Sequence, residues 1–408
     1  MSRIKIKNFG PIKNRNLTND GWIDIKKVTI FIGNQGSGKS TVAKLISTFM
    51  WLEKALIRGD IKAPVSHQDF IKLIGFHRLE NYIEPDTQIE YEGNTYRLIL
   101  SENTIKKTVK ATKLNLKSIK QPKIMYVPAE RNFLSSITNI NKVSDLIIGS
   151  LKNYSIEFRN AQLAHKSKPI DLPINNTKIV YEPKEDENYL IFNNKQLKLS
   201  DASSGFHSIV PLYWVTKYLI EYVKQGEKKL LELLSTDQTI RRNNELKELN
   251  TQQLDEKTLR TEEKKINEKY VSKYFVNIVE EPEQNLFPKS QRLLLNSLLA
   301  FNNGNNKLIM TTHSPYLINY LTLAVKAETV KLNLKSEESK KKLSEIVPLE
   351  STLKSENLII YELNDLDGSI KKLDDYKGLP SDENFLNDDI ENTNELFAQL
   401  QEIEKGCR

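Results

Sequence analysis

Hydrophobic and polar residues follow two different periods along the 408-residue chain, and this mixture predicts an α/β protein. Residues 23–33, IDIKKVTIFIG, are rich in β-branched side chains and predict a strand that ends in a glycine-rich turn. Residues 39–56 then carry apolar side chains at helical spacing, which are Val42, Leu45, Ile46, Phe49 and Leu52. The first part of the chain is therefore predicted to be a buried strand that leads directly into a helix.

The middle of the chain predicts short strands joined by tight turns. Residues 87–112 are interrupted by a Gly-Asn pair at 93–94, which is typical of a turn between antiparallel strands. Residues 123–136 predict a strand followed by a polar loop, and residues 177–183 and 188–200 predict further strands, with a turn at Asn193 and Asn194. A loop and an apolar helix follow and end near residue 223.

Composition changes sharply over residues 224–269, which are dense in Lys, Glu, Arg, Gln and Asn and contain no proline. Two antiparallel helices of about 20 residues, each roughly 30 Å long, fit this pattern, and a flexible charged linker is the alternative. We therefore predict a first lobe at 1–223, a coiled-coil-like helical insertion at 224–272 and a second lobe at 273–408. Within the second lobe we expect apolar strands, a hairpin with an Asp-Gly turn and an acidic final helix.

The net charge of +7 is unevenly distributed. Residues 359–408 hold 13 acidic and 5 basic side chains, while the preceding residues hold 40 acidic and 55 basic ones. A basic body is compatible with contact to DNA or RNA, and lysine-rich solvated surface is the alternative explanation. The sequence contains no apolar stretch of about 20 residues, and charges occupy its first positions, so we predict a cytoplasmic protein without membrane contact. The single cysteine, Cys407, excludes an internal disulfide and a cysteine-based metal site.

The stretch GNQGSGKST matches the phosphate-binding pattern G-x-x-x-x-G-K-[ST] between a predicted strand and a predicted helix. In this pattern the glycines let backbone N–H groups point at phosphate oxygens, while Lys39 reaches the β- and γ-phosphates. The Ser40 hydroxyl binds Mg²⁺, and the N-terminus of the helix adds a positive dipole. The predicted nucleotide-binding residues are Gly33, Asn34, Gln35, Gly36, Ser37, Gly38, Lys39, Ser40 and Thr41.

Two adjacent glutamates end the apolar stretch IVEEPEQNLFP at residues 278–288. Beside a phosphate-binding loop, Glu280 is predicted to hold Mg²⁺ and Glu281 to act as the base that activates water. Because glutamate is one methylene longer than the usual aspartate, we expect Glu280 to contact the metal through a bound water. A helix N-terminus, where the dipole favours carboxylates, is the alternative. His313 follows the next apolar strand and is predicted to contact the γ-phosphate or position the water, with a structural role as the alternative.

Four motifs, GNQGSGKS, DASSGFHS, VEEPEQNLFP and TTHSPYL, stand in the order found in ABC-type ATPases, and the chain resembles that superfamily. The superfamily holds transporter motors, structural-maintenance-of-chromosomes (SMC) proteins and overcoming-lysogenization-defect-type nucleases. The resemblance implies an ABC-type head, with a mixed sheet around the phosphate-loop helix, an antiparallel β-subdomain and a helical subdomain. It also implies a head-to-tail homodimer or higher oligomer around ATP and Mg²⁺. In it, the signature-like Ser203, Ser204 and Gly205 cap the nucleotide of the other subunit, and the loop containing Glu283 faces that subunit.

The stretches FGPIKN, IGNQGSGKSTVAKLIS and YVPAERNFLSS resemble more closely the stand-alone ATPases of bacterial anti-phage systems. The AriA family of PARIS is the nearer of two candidates and the PtuA family of Septu the other. The resemblance implies an oligomeric ATPase that holds or activates a separate effector nuclease or toxin. A DNA-repair or chromosome-maintenance ATPase of the RecF or SMC type is the alternative, and a transporter motor is a third interpretation.

The sequence departs from the transporter pattern at the signature, where Phe206 and His207 replace a glycine and a glutamine. Glu130 and Arg131 in PAERNF are candidates to contact the metal, a phosphate or the partner subunit, and a structural salt bridge is the alternative for Arg131. Asp365 and Asp367 have D-x-D spacing in a predicted turn, where aspartate bonds the local backbone. We therefore expect no intrinsic nuclease activity.

Overall fold

The computed structural model describes residues 2–13, 19–100, 107–114, 120–137, 147–193 and 195–406. Cys407 and Asn194, half of a predicted turn, lie outside these ranges. The strands are β1 (Ser2–Phe9), β2 (Trp22–Ile25), β3 (Val28–Gly33), β4 (Ile83–Glu92), β5 (Tyr96–Leu100), β6 (Val109–Lys113), β7 (Gln121–Val127), β8 (Ile170–Asp171), β9 (Lys178–Glu182), β10 (Glu187–Phe192), β11 (Lys195–Lys198), β12 (Ser272–Glu280), β13 (Lys307–Thr311), β14 (Leu358–Leu363), β15 (Ile370–Lys372), β16 (Asp375–Tyr376) and β17 (Leu379–Pro380).

The helices are α1 (Lys39–Arg58), α2 (His67–Gly75), α3 (Gly149–Ala164), α4 (Ser204–Val223), α5 (Glu227–Glu232), α6 (Thr236–Asn250), α7 (Glu256–Tyr270), α8 (Pro288–Phe301), α9 (Pro315–Lys331), α10 (Glu337–Ile346) and α11 (Phe385–Gly406). Among the described residues, none of these helices combines the length and the apolar character needed to cross a membrane.

A six-stranded sheet in the order β15-β14-β3-β13-β12-β7 forms the centre of the fold. All neighbouring strands in it run parallel except β15, which pairs with β14 as the predicted Asp-Gly hairpin. The carboxyl ends of β3, β13 and β12 therefore meet at one edge, where Gly33, Thr311 and Glu280 end their strands. The predicted α/β class is confirmed, and this edge brings the sequence motifs together.

Strand β3 shows how the alternation of side chains divides the core. Val28, Ile30 and Ile32 face a cluster that includes residues of α4, α8 and α9, whereas Phe31 faces a second cluster around α1. Helix α1 lies between the central sheet and a five-stranded sheet in the order β2-β1-β4-β5-β6, the expected antiparallel β-subdomain. A further antiparallel sheet, β11-β10-β9-β8, contributes to the first cluster.

The single strand predicted over residues 23–33 is wrong, because the structure divides it into β2 and β3. These two strands belong to different sheets, so the chain leaves one layer and enters the next at Lys26 and Lys27. The Thr29 hydroxyl accepts a hydrogen bond from the Lys26 backbone N–H at 3.0 Å and holds this turn. The residues on both sides are apolar and β-branched, so the pattern alone does not reveal the break.

The charged insertion is helical, but it comprises three helices, α5, α6 and α7, where the sequence predicted two. Helices α6 and α7 pack through a small cluster that contains Leu249, Ile266 and Tyr270. The insertion lies against the ATPase body, since Arg241 of α6 pairs with Asp60 at 2.6 Å and α7 contacts α1 and β7. It is therefore a packed layer of the fold and not an extended arm.

Glu53 on α1 ties that helix to the turn between β4 and β5. Its Oε1 accepts the backbone N–H groups of Thr95 and Tyr96 at 2.6 and 3.1 Å, and its Oε2 accepts the Tyr91 hydroxyl at 3.2 Å. A Cβ added to Gly93 would lie 2.2 Å from Oε2, so the turn needs glycine there. Burial raises the pKa of Glu53, and the hydrogen bonds oppose this shift.

We expect Glu53→Ala to lower the free energy of unfolding by about 3 kcal/mol, because three buried donors lose their acceptor. Denaturant unfolding followed by circular dichroism measures this. Glu350→Ala is the matched control, since Glu350 is exposed, and it should change stability by less than about 0.5 kcal/mol. Equal effects of the two substitutions would contradict the anchoring role.

Candidate nucleotide-binding site

The loop from Gly33 to Gly38 joins β3 to α1 with three glycines of positive φ, at 141°, 82° and 98° for Gly33, Gly36 and Gly38. A Cβ on Gly33 would lie 2.2 Å from the Leu363 carbonyl oxygen of β14, so the loop needs glycine where it leaves the sheet. A Cβ on Gly36 would meet no atom within 4 Å, which leaves open space above the loop. The loop leads directly into the 20-residue helix α1, so it curls at a helix N-terminus that attracts anions.

The side chain of Lys39 lies inside this loop. Its Nζ donates to the carbonyl oxygens of Gly33 and Asn34 at 2.8 and 2.7 Å, so the lysine closes the loop on itself. Burial lowers the pKa of Lys39, and the negative charges of Glu281, Glu283 and Asp365 oppose this shift. A lysine among three carboxylates is a fitting counter-charge for phosphate groups that enter the same space.

Glu280 ends β12 and is 4% exposed. Its Oε1 accepts a hydrogen bond from the Tyr126 hydroxyl, and its Oε2 accepts the Ala129 backbone N–H at 3.1 Å. The extra methylene of glutamate thus lets the carboxylate reach the neighbouring strand β7 and the turn after it. Each carboxylate oxygen keeps a second lone pair that could accept a metal-bound water, and the Mg²⁺ role of Glu280 and Ser40 stays a prediction.

Glu281 and His313 form a hydrogen-bonded pair across the ends of β12 and β13. The Glu281 Oε1 lies 2.7 Å from the His313 Nε2, and both side chains are about one-third exposed. Glu281 has a positive φ of 42°, and its backbone N–H donates to Thr311 at 2.9 Å, so the chain turns sharply to present this carboxylate. The hydrogen bond from His313 lowers the pKa of Glu281 despite its burial. The carboxylate is therefore ionised and oriented at neutral pH.

The Glu283 side chain faces inward, and the expectation that its loop faces a second subunit stays a prediction. Its Oε1 accepts the Thr312 hydroxyl at 2.7 Å and the His313 backbone N–H at 2.9 Å. Its Oε2 is buried and has no hydrogen-bond partner among the described residues, and burial raises the pKa of this carboxyl. Glu283 thus positions the segment that carries His313. Because a carboxylate oxygen can accept two hydrogen bonds at once, the Thr312 hydroxyl and the His313 N–H together hold the Glu283 side chain in its inward position.

Arg131 is fully buried and links the strand edge to α4 through backbone carbonyls. Its guanidinium donates to Pro128, Glu280, Glu281 and Ser208, at distances from 2.6 to 3.3 Å. This role differs from the salt-bridge alternative, because all four acceptors are backbone carbonyl oxygens, and full burial leaves no Arg131 surface for a partner subunit. The side chain of Glu130, the residue before Arg131, is exposed. Sequence reasoning missed this role because its acceptors are main-chain atoms.

The signature-like residues begin α4 at the surface. Ser203 and Ser204 are exposed, and Ser203 occupies the N-cap position of the 20-residue helix without a side-chain capping hydrogen bond. A Cβ on Gly205 would lie 3.1 Å from the Asn285 carbonyl oxygen, so glycine lets the loop after Glu281 pass close to the helix. His207, which departs from the transporter pattern, contacts the Leu199 carbonyl oxygen through Nε2 at 2.8 Å. The two serines therefore face the solvent.

A cavity of about 580 Å³ connects these elements at the sheet edge. Gly33 and Asn34, Glu281, His313 and the first turn of α11 line it. Asp365, from the D-x-D pair, accepts a hydrogen bond from the Asn34 side chain at 3.2 Å, whereas Asp367 bonds the Ser369 backbone at 2.9 Å. The two aspartates therefore have separate local partners, as expected for a turn.

A family model described as "AAA ATPase domain" (AAA_15) matches residues 172–318, a little over a third of the chain. The matched residues include the signature-like loop, Glu280, Glu281 and His313, and the phosphate-binding loop precedes them. That stretch of the chain is similar to the ATPase domain that the family model describes. Comparison with curated proteins finds no significant match.

Solved structures similar to this chain include two SMC heads and one ATP-binding cassette. The SMC head bound to the C-winged helix domain of ScpA is 10% identical, with 91% of this chain and 96% of that chain covered and a TM-score of 0.41. The SMC head domain from Thermotoga maritima is 11% identical, with 92% and 98% covered and a TM-score of 0.39. The dimeric post-hydrolysis cassette MJ0796, bound to ADP and Pi, is 13% identical, with 92% and 100% covered and a TM-score of 0.30. The fold described above rests on this chain's own strand order and contacts.

We expect Arg131→Met to lower the free energy of unfolding by about 3 kcal/mol, because four buried carbonyl oxygens lose their donor. Chemical denaturation measures the change. Arg292→Met serves as the control, since half-buried Arg292 donates to the single carbonyl of Ile346 and its loss should cost less than about 1 kcal/mol. A cost for Arg131→Met as small as that of the control would contradict the bridging role.

Proposed function

We propose that this protein is an ATP-hydrolysing ABC-type ATPase that works as a head-to-tail dimer. The observation that carries the proposal is the meeting of Lys39, Glu281 and His313 beyond the ends of three neighbouring parallel strands, beside a cavity that Glu281 and His313 line. Ligands in open parallel sheets bind at this edge. The order of the motifs along the chain, and the family match over residues 172–318, support the same conclusion.

The chemistry assigned to each residue follows from its contacts. The phosphates of ATP bind to the N–H groups of the loop and to Lys39, and Ser40 and Glu280 are the residues that would hold Mg²⁺. Glu281 accepts a proton from the attacking water, for which its ionised and oriented carboxylate is suited. His313 fixes the Glu281 carboxylate through the 2.7 Å hydrogen bond and stands at the mouth of the same cavity.

The dimer completes the site in this proposal. Ser203 and Ser204 are exposed at the start of α4, and a helix N-terminus with two hydroxyl groups is well suited to bind a phosphate. Their outward orientation makes the nucleotide of a second subunit the natural ligand. Gly205 lets α4 lie close to the loop after Glu281 of the same subunit. When the serines of one subunit bind the nucleotide held by the other, that contact is therefore linked to Glu281 of the subunit that supplies the serines.

For the biological role, we propose the sensor and scaffold subunit of an anti-phage defence system, with the effector nuclease or toxin in a separate polypeptide. The resemblance of PAERNF and the phosphate loop to PARIS and Septu ATPases supports this role. The packed insertion also favours it over a chromosome-maintenance ATPase, whose arm has to project from the head to bridge DNA. In the present fold, Arg241 and α7 hold the insertion against α1.

We expect Glu281→Gln to bind ATP with Mg²⁺ at unchanged affinity while its hydrolysis rate falls at least about 100-fold, since general-base contributions are of that order. Calorimetric titration and phosphate release measure the two quantities. Lys39→Ala is the complementary control and should lose ATP binding. Hydrolysis at the wild-type rate by Glu281→Gln would refute the base assignment.

A mixture of two inactive variants tests the dimer. Lys39→Ala removes the phosphate loop function, and Ser204→Glu places a negative charge against a phosphate in the other subunit. Each variant alone should be inactive, but a mixed dimer contains one site with an intact loop and an intact signature. We expect partial recovery of phosphate release on mixing. A mixture as inactive as its components, with mixed dimers confirmed by two affinity tags, would contradict action in trans.

The defence role is tested in cells. A strain that expresses the protein together with its neighbouring open reading frames should reduce phage plating at least about tenfold, and the Glu281→Gln operon should lose or alter that protection. A neighbouring nuclease gene together with unchanged plating of a broad phage panel would count against defence and leave the ATPase assignment intact.

A further inference from the structure

A second cavity, of about 290 Å³, lies beside the middle of α1, where Ser47, Thr48 and Trp51 line it. Trp51 of α1, Phe76 and His77 after α2, and Tyr126 of β7 form its aromatic walls, and Lys72 stands at its edge. Its size and lining are those of a small-molecule site, with apolar walls and few polar groups. None of the residues assigned to nucleotide binding lines this cavity.

His77 provides a polar group inside this cavity without a protein partner. The side chain is 4% exposed, and its buried Nδ1 has no hydrogen-bond partner among the described residues. The ring is held by edge-to-face contacts, at 4.9 Å from the Phe76 ring and 4.7 Å from the Tyr126 ring. Burial lowers the pKa of His77 to about 3, so the imidazole is neutral and free to accept or donate one hydrogen bond. A buried polar atom of this kind is expected to have a partner.

The rim of the cavity is exposed and positively charged. The Trp51 and Phe76 side chains are each 41% exposed, so two large aromatic surfaces face the solvent at the mouth. The Lys72 ammonium has no hydrogen bond or ion pair within the part of the chain that the structure describes. Lys44 lies close enough to contribute to the lowered pKa of His77. The chemistry at the mouth therefore favours a flat ring that carries a negative charge.

We propose that this cavity binds a planar, bicyclic aromatic molecule with one anionic group, whose ring lies between Trp51 and Phe76 and whose anion faces Lys72. An aryl carboxylate and a purine nucleoside monophosphate share this chemistry. The ring of the bound molecule would contact Tyr126, which lines the cavity, and the Tyr126 hydroxyl donates to Glu280 at the nucleotide site. Occupation of the cavity thus regulates the ATPase, a consequence that rests on the proposed function, whereas binding itself does not.

Binding is tested by calorimetric titration of the full chain with 2-naphthoate. We expect saturable binding that weakens about tenfold in Trp51→Ala and about threefold in Lys72→Ala, from the loss of ring contact and of one exposed charge pair. Lys62→Ala removes an exposed lysine outside the cavity and should bind like the wild type. The neutral 2-naphthamide should bind as weakly as 2-naphthoate binds to Lys72→Ala.

A second variant protects the test against misfolding of Trp51→Ala. Asn153→Trp, from α3 on the opposite wall, fills the mouth without removing core atoms and should abolish binding. Absence of binding to the wild type, or unchanged affinity in both Trp51→Ala and Asn153→Trp, would overturn the proposal. Displacement of bound 2-naphthoate by guanosine monophosphate identifies a nucleotide-type ligand, and absence of displacement identifies an aryl carboxylate.

The regulatory link has a separate readout. 2-Naphthoate should change the rate of ATP hydrolysis by at least about twofold in the wild type. Tyr126→Phe keeps the ring but removes the hydroxyl that contacts Glu280, so it should bind the probe with unchanged affinity and lose the rate response. A full rate response in Tyr126→Phe would refute this coupling. An inactive wild-type enzyme that still binds 2-naphthoate would refute the ATPase proposal and support the cavity.

Discussion

The hydrogen bonds that the Arg131 guanidinium donates to four backbone carbonyls are the interaction on which the strand edge depends. They join the end of β12, the turn after β7 and the first turns of α4 through one buried cation. Burial lowers the pKa of Arg131, and the negative charges of the three nearby glutamates oppose this shift. The buried guanidinium cation and the glutamate carboxylates therefore stabilise one another electrostatically. Without this cation, the negative charges of Glu280, Glu281 and Glu283 would lie together at the end of an apolar strand.

The three glutamates are distinguished by their partners and not by their spacing in the sequence. Glu280 is held by Tyr126 and Ala129, Glu281 by His313, and Glu283 by the segment Thr312–His313. Each carboxylate therefore has its own environment, with the pKa lowered for Glu281 and raised for Glu283. Different environments for neighbouring acids are what allow one to remain a base while another is structural.

Much of this arrangement could be predicted from local sequence, because its signals are local. The phosphate loop is a contiguous pattern, and parallel strands place their carboxyl ends at one edge. The sequence alone therefore predicts that Lys39, Glu281 and His313 lie close together. The functions of Arg131 and Tyr126 could not be predicted, since Glu280 and Glu281, their partners at the strand end, are 149 to 154 residues away and are contacted at backbone or buried atoms. The break between β2 and β3 was also hidden, because the residues on both sides suit a strand. The inward position of Glu283 depends on Thr312, which carries no signal by itself.

Strand β12 has a mechanical consequence for the insertion. Helix α7 ends at Tyr270 and β12 begins at Ser272, so no loop separates the insertion from the strand that ends in Glu280. A nine-residue strand is about 30 Å long, and its hydrogen bonds to β7 and β13 on either side are loaded in shear when it is pulled along its axis. A partner that grips the insertion therefore pulls on a stiff rod whose far end holds the glutamates. Force applied at one face of the protein would be felt at the opposite end of the sheet without any hinge between them.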